Sequence, residues 1–210
     1  MAVRSTENEP AGTPKSSVEI PTVTGELYAQ VREALAREGF TFLVTIRPVS
    51  IGQLAGDRAT RDFFGYINSS KEMKSNIPPQ IEVAIDPNNF KIEGSNNLPI
   101  DDQIRKIKEK EALLRGKLPE NIRNNISMLS PEHASILAQL DIQHQERTRM
   151  GVLFTNWFGR TDDQKISSFV ACVGREGPAR RLRVEAWDRY HGYRNAFAVS
   201  IAVLPRKLTA

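Results

Sequence analysis

One cysteine, Cys172, stands in 210 residues, so no internal disulfide can form. Its place in the apolar run Ser168-Phe169-Val170-Ala171-Cys172-Val173 marks a small buried side chain rather than a reactive thiol. No stretch of roughly 18 apolar residues is present, and the first residues lack the apolar centre of a signal peptide. The expectation is a cytoplasmic protein with no membrane contact. Glycine-rich phosphate loops are missing too: Gly52 and Gly56 stand alone, which argues against a nucleotide-binding enzyme.

Histidine is scarce, with His133, His144 and His191 the whole supply. His133 and His144 are eleven residues apart on one expected helix, which at 1.5 Å per residue separates them by about 16 Å, too far to share a metal. Asp141 and His144, at i and i+3, supply two ligands with no third in view. No Gly-x-Ser-x-Gly elbow or Cys–His signature accompanies any histidine. A metal-free nuclease built on His191, with Arg189 and Arg194 clamping a phosphate, needs a second acid–base group that only the fold can bring in. No cofactor, no metal and no catalytic residue are therefore expected.

What is present is a basic end on a neutral body. The formal charge is +4, and from Arg175 onward eight basic side chains (Arg175, Arg180, Arg181, Arg183, Arg189, Arg194, Arg206, Lys207) face Glu176, Glu185 and Asp188, leaving the rest of the chain close to neutral. Such a region attracts anionic partners, of which nucleic acid is the commonest.

Residues 1–17 are rich in Pro, Ser, Thr, Gly and Glu and have little to bury, so a disordered tail is expected, followed by a single domain over 18–210. Thr24 reads as the N-cap of a helix with Leu27, Val31 and Leu35 on one stripe, closed by Gly39. Phe40, Phe42, Val44 and Ile46 alternate into a strand stopped by Pro48. Arg58, Arg61, Asp62, Phe63, Phe64 and Tyr66 suggest a short helix, and Asn68-Ser69-Ser70 another cap. Ile81, Val83 and Ile85 lead into the turn Asp86-Pro87-Asn88-Asn89, with Phe90 and Ile92 returning as a β-hairpin. Asp101 or Asp102 is the expected cap of a long helix with Ile104, Ile107, Leu113 and Leu114 inward. Pro119 opens a short helix, and Ser130-Pro131-Glu132 opens another carrying Ala134, Leu137 and Leu140 as far as Gly151. Val152-Leu153-Phe154 then enter the C-terminal strands. The class is α+β, with mixed or antiparallel strands and helices in the middle of the chain.

The contact surface is expected within 152–205, centred on Trp187-Asp188-Arg189-Tyr190-His191-Gly192-Tyr193-Arg194-Asn195. Leu182, Val184 and Ala186 alternate before this run, and Phe197 to Leu204 are apolar after it, so it reads as a loop between strands. It is too long and bulky for a two-residue hairpin and must turn side chains outward. Tyr, Trp and Arg with Asp, His and Asn form the palette of adaptable recognition surfaces. The plainer alternative puts Trp187 and Phe197 in the core while Asp188, Gly192 and Asn195 turn the chain.

This run and the apolar strand after it resemble the variable region of diversity-generating retroelement proteins. In that family adenine-specific mutagenesis produces Asn, Asp, Tyr, His, Ser, Arg and Gly, and every residue from Asp188 to Asn195 is reachable that way. Leu153-Phe154-Thr155-Asn156-Trp157-Phe158-Gly159-Arg160-Thr161-Asp162-Asp163 and the ending Val203-Leu204-Pro205-Arg206-Lys207-Leu208 are also similar to proteins of uncultured candidate-phylum bacteria. The resemblance implies a hypervariable surface, a C-type-lectin-like fold at the C-terminus, and a protein or other surface ligand. Its contact residues would be Trp187, Asp188, Arg189, Tyr190, His191, Tyr193, Arg194 and Asn195. The competing expectation is a nucleic-acid site in which Arg175, Arg180, Arg181 and Arg183 hold phosphates while Trp187, Tyr190 or Tyr193 stack on bases.

Overall fold

In the computed structural model the described residues are 19–67, 74–130, 132–148, 152–166, 168–175 and 181–208, so the expected tail, Asn68-Ser69-Ser70, Pro131, Gly151 and Arg180 lie outside them. The chain runs β1 (Thr22–Val23), α1 (Gly25–Arg37), β2 (Phe42–Ile46), α2 (Ile51–Gly56), β3 (Phe64–Ile67), β4 (Ile81–Ile85), α3 (Ile100–Lys117), α4 (Glu120–Arg123), β5 (Ser127–Met128) and α5 (Ala134–Thr148). It continues through β6 (Phe158–Ile166), β7 (Phe169–Arg175), β8 (Leu182–Asp188), β9 (Ala196–Phe197), β10 (Ala202–Val203) and β11 (Arg206–Lys207). The class is α+β. One sheet, β2-β4-β10-β5, is antiparallel, a second, β3-β8-β7-β6-β9, is mixed, and β1 pairs with β11 in a short parallel ribbon.

Alternation along the antiparallel sheet divides the core. Ala84 and Ala202 face Val31 and Leu35 of α1 and Ile107 and Leu114 of α3, while Val44, Ile46, Val83, Ile85 and Val203 face the other way onto α5. The far side of α5 meets Ala171, Val173, Leu182 and Val184 of the mixed sheet. Helix α5 is thus sandwiched between two sheets, and it is buried almost all round, including the polar residues Gln139, Asp141 and His144. Leu137 and Leu140 are fully buried there, so truncating either to Ala would cost about 2–5 kcal/mol through the cavity left behind.

One charge pair sits inside this sandwich. Asp141 Oδ2 accepts from Arg175 Nε at 2.9 Å and Nη2 at 2.6 Å, and Asp141 Oδ1 accepts from the Leu153 backbone N–H at 2.8 Å. Arg175 is held from β7 and Asp141 from α5, so the pair fixes the helix against the mixed sheet.

Several expectations hold in detail. Thr24 caps α1, its hydroxyl oxygen accepting from Leu27 N–H at 3.3 Å. Gly39 leaves the helix at φ +92°, where a Cβ would come within 2.7 Å of Asp86 Oδ2. Asp86 Oδ1 accepts from the N–H groups of Asn88 and Asn89, as the turn chemistry requires.

Others are corrected. Phe90 and Ile92 do not return on β4, because both edges of β4 are already taken by β2 and β10. They pair with the distant segment 198–200 through Ile92 N–H to Ala198 O and Ser200 N–H to Phe90 O. Phe64 to Ile67 form strand β3 beside β8 rather than a helix, preceded by a single 3-10 turn over Arg61–Phe63. Helix α3 begins one residue before Asp101 with Pro99 at its cap, so the two carboxylates serve its first turn and not its cap. Leu113 is 67% exposed: Ile107 and Leu114 are seven residues apart on one face, and Leu113 is turned about 100° away from it. Helix α5 begins at Ala134, leaving His133 outside it. Val152–Phe154 form no strand, and Phe197–Leu204 is broken into β9 and β10, which belong to different sheets. No helix among the described residues is long and apolar enough to cross a membrane.

Candidate recognition loop

The run 188–195 is not the tip of a hairpin. Strands β8 and β9 are separated in their sheet by β7 and β6, so the connection must cross two strands, and it does so over the sheet face away from α5. Register puts Phe158, Arg160, Cys172, Glu185 and Trp187 on that outer face. Trp187 lies 4.9 Å from the Phe158 ring and 4.7 Å from the Tyr193 ring, and its indole N–H donates to Glu185 at 2.9 Å. The loop therefore folds back on its own sheet, with Tyr193 as the lid over Trp187.

Arg160 organises the crossing. It is 1% exposed, and its guanidinium donates to Leu98 O at 2.9 Å, His191 O at 3.0 Å and Asp188 O, while its carbon Cζ lies 5.6 Å from the Tyr193 ring centre. Burial pulls this guanidinium below its ordinary pKa, and Cys172, Tyr193 and Asp188 act in the opposite direction. Burial likewise pushes the Cys172 thiol up, which leaves it inert.

Further backbone groups of the loop are fixed as well. Arg189 N–H donates to Ser168 O, and Arg189 O accepts from the first amide of α3, Ile100. Tyr193 O accepts from both Asn97 and Ala196, and Asn195 O accepts from Phe158. Asn97 takes the left-handed conformation, φ 56°, which an asparagine tolerates. Gly192 lies directly on it: a Cβ at 192 would be 2.1 Å from Asn97 O. Tyr190 N–H donates to Asp188 Oδ1 at 2.7 Å, and with the His191 ring 3.2 Å away these contacts hold the Asp188 carboxyl below its usual range, the Tyr190 amide contributing most.

The candidate residues separate into two groups. Asp188, Arg189, Tyr193 and Trp187 are engaged within the fold. Arg189 is 12% exposed and paired with Asp101 at 3.1 Å and Asp162 at 3.7 Å, and the Tyr193 hydroxyl accepts from Asp188 N–H. Asn195 is half-buried. Tyr190 (61% exposed), His191 (73% for its side chain) and Arg194 point outward. Tyr193 is therefore a structural tyrosine, and only Tyr190 of the two loop tyrosines is open.

Of the arginines expected to hold phosphates, Arg175 is corrected: it is 4% exposed and committed to Asp141, so no phosphate can reach it. Arg183 pairs with Glu185 at 2.8 Å, Arg181 is exposed, and Arg180 lies outside the described residues. Trp187 is partly buried, in contact with the Phe158 and Tyr193 rings. Asp141 is likewise committed, and His144 lies edge-on against Phe42 at 5.2 Å.

Arg160, Asp162, Asn97 and Gln103 are not among the contact residues expected from the sequence, and Asp101 is expected there only as a helix cap. Gln103 ties the loop's exit to α3 by donating to Ser95 O at 2.8 Å and Ala196 O at 3.0 Å. Arg160 had one detectable signal, since strand alternation puts it on the same side as the apolar Phe158. A surface groove of about 450 Å³, lined by Ile20, Thr45, Glu82, Leu204 and Lys207 among others, shares no residue with the loop. No protein-family model, curated protein or solved structure matches this chain.

Proposed function

We propose that the chain is a cytoplasmic, non-enzymatic binding module whose 188–195 connection is a rigid platform presenting Tyr190, His191 and Arg194 to a protein or other surface ligand. The observation that carries this reading is the division within one loop: its backbone is pinned by Arg160, Asn97, Ile100 and Phe158, while three large polar side chains remain outward. A loop already fixed loses little conformational entropy on binding, so contacts made by its Tyr and Arg convert to affinity with small loss. Tyr and Arg are also the residue types that most often dominate interface energies. Asn96, Asp101 and Arg105 on the adjoining segment would extend the surface with mixed charge.

Under this reading, the retroelement resemblance narrows. Diversification is compatible with positions 190, 191 and 194, whereas 188, 189, 192 and 193 belong to the frame. A near-copy of this stretch beside the gene, differing at adenines and accompanied by a reverse transcriptase gene, would support the genetic part. Its absence would remove that part and leave the platform.

The binding reading is tested with two display libraries, one randomised at 190, 191 and 194 and the other at 188, 189 and 193, both selected against the same immobilised protein. Folded binders are expected from the first only. Failure of the first, or equal success of the second, would overturn the proposal. Oligonucleotide binding by the natural chain that falls steeply with salt would favour the nucleic-acid reading instead.

A further inference from the structure

Sheet rims present unpaired backbone groups, and two helices of this chain send side chains to occupy them. At the outer rim of β5, Met128 N–H donates to Glu111 of α3 at 3.0 Å, and at β9 the Ala196 carbonyl accepts from Gln103 of the same helix. At β2 the coverage is a ladder. Gln139 answers both polar groups of Arg47, accepting from its N–H at 2.8 Å and donating to its C=O at 3.0 Å. Gln143 donates to Thr45 O at 3.2 Å, and Arg147 donates to Leu43 O at 2.6 Å while lying 4.7 Å over the Phe42 ring.

The spacing explains why this works. Four residues of helix advance about 6 Å, and two residues of strand advance about 6.6 Å. Side chains at 139, 143 and 147 therefore stay in step with carbonyls at 47, 45 and 43. Helix α5 does for β2 what a neighbouring strand would do. What it covers is Phe42-Leu43-Val44-Thr45-Ile46, uncharged and free of proline, the kind of segment that pairs when its rim is exposed.

We propose that the last turns of α5 are an edge guard: Gln143 and Arg147 keep β2 from pairing with β2 of a second copy, and releasing them opens the strand to that pairing. A second copy is the fitting occupant because the rim is self-complementary. Antiparallel pairing about Thr45 sets Leu43 opposite Arg47 on both sides, which a two-fold axis satisfies. Gln139, 2% exposed, is part of the core, whereas Gln143 is half-buried and Arg147 exposed, so the guard's outer two members can leave without opening a cavity.

The test is the mass of Gln143→Ala/Arg147→Ala by light scattering over a concentration series, beside the natural chain, with melting curves for both. The natural chain should keep a constant mass, and the double variant should rise towards twice that mass as concentration increases. Adding Thr45→Pro should return it to the natural mass. The Thr45 N–H points the same way as its carbonyl, away from β4, so proline there removes a rim donor and spares the β2–β4 pairing. If the double variant melts well below the natural chain, Arg147→Ala alone, an exposed truncation, is measured the same way and should show the same direction. The inference is overturned if the folded variant keeps the natural mass, if Thr45→Pro leaves its association unchanged, or if the natural chain itself associates through this rim.

Discussion

Replacing Arg160 with Met removes the pin that holds the 188–195 loop to its sheet. Methionine keeps most of the buried stem and deletes three donors, those to Leu98 O, Asp188 O and His191 O. Hydrogen bonds from a charged group are worth about 1.5–3 kcal/mol each. Two effects reduce the loss. Releasing a guanidinium from burial recovers a few kcal/mol, and the carbonyls of Asp188 and His191 belong to partly exposed residues that water can reach. The net destabilisation expected is about 2–4 kcal/mol, or roughly 5–15 °C in Tm for a domain of this size. Loss of the loop's docking should also loosen Tyr193 from Trp187, so the near-UV circular dichroism of the aromatic pair should weaken and the 188–195 backbone should become open to protease. Arg160→Lys should fall between the two, since one ammonium cannot span three carbonyls. A methionine variant with an unchanged melt and an unchanged near-UV spectrum would refute the role assigned to Arg160.

Two further perturbations test the frame elsewhere. Asp141→Asn strands the buried Arg175 cation and should cost about 3–5 kcal/mol in chemical denaturation, while replacing both partners with apolar residues should recover much of that; an unperturbed single variant would mean the pair does not hold α5 to β7. Tyr28 has its hydroxyl pushed up to about 12 by burial and by donation to Glu82. Because its folded pKa lies above the unfolded one, the folded state keeps a proton that the unfolded state loses, so stability should fall as pH rises from 10 to 12. Glu82→Gln should bring this titration down in ultraviolet absorbance, and no movement would contradict the assigned cause.

The sequence was most legible where local physics decides. Thr24 and Gly39 bracket α1 through capping and a left-handed turn, and the alternation at 42–46 and 81–85 assigned both strands and one buried face of each, though not the second face on which Ala84 packs against α1 and α3. It misled where partners are distant. Nothing in Phe90 or Ile92 says that β4 has already been claimed by β2 and β10, so turn chemistry at Asp86 looked like a hairpin. Helix α5 carried Gln139, Gln143 and Arg147, to which the sequence pattern assigns no role, and Asp141, weighed only as a metal ligand; the first three serve a strand rim and the last a buried arginine. The candidate loop was located by its composition, but composition treats Tyr190 and Tyr193 alike. Only the register of Phe158, Arg160 and Trp187 on the outer face shows that one tyrosine closes the platform and the other stands on it.

The central claim is that the 188–195 loop is a fixed frame with three open positions, and saturation substitution of 187–195 with folding stability as the readout tests it most directly. The expected profile is uneven. Positions 190, 191 and 194 should tolerate most residues within about half a kcal/mol. Position 192 should reject every side chain because of the Asn97 carbonyl 2.1 Å from its Cβ, and positions 189 and 193 should each be costly. A profile that is flat across the run, or one in which Tyr190 is as costly as Tyr193, would contradict the account.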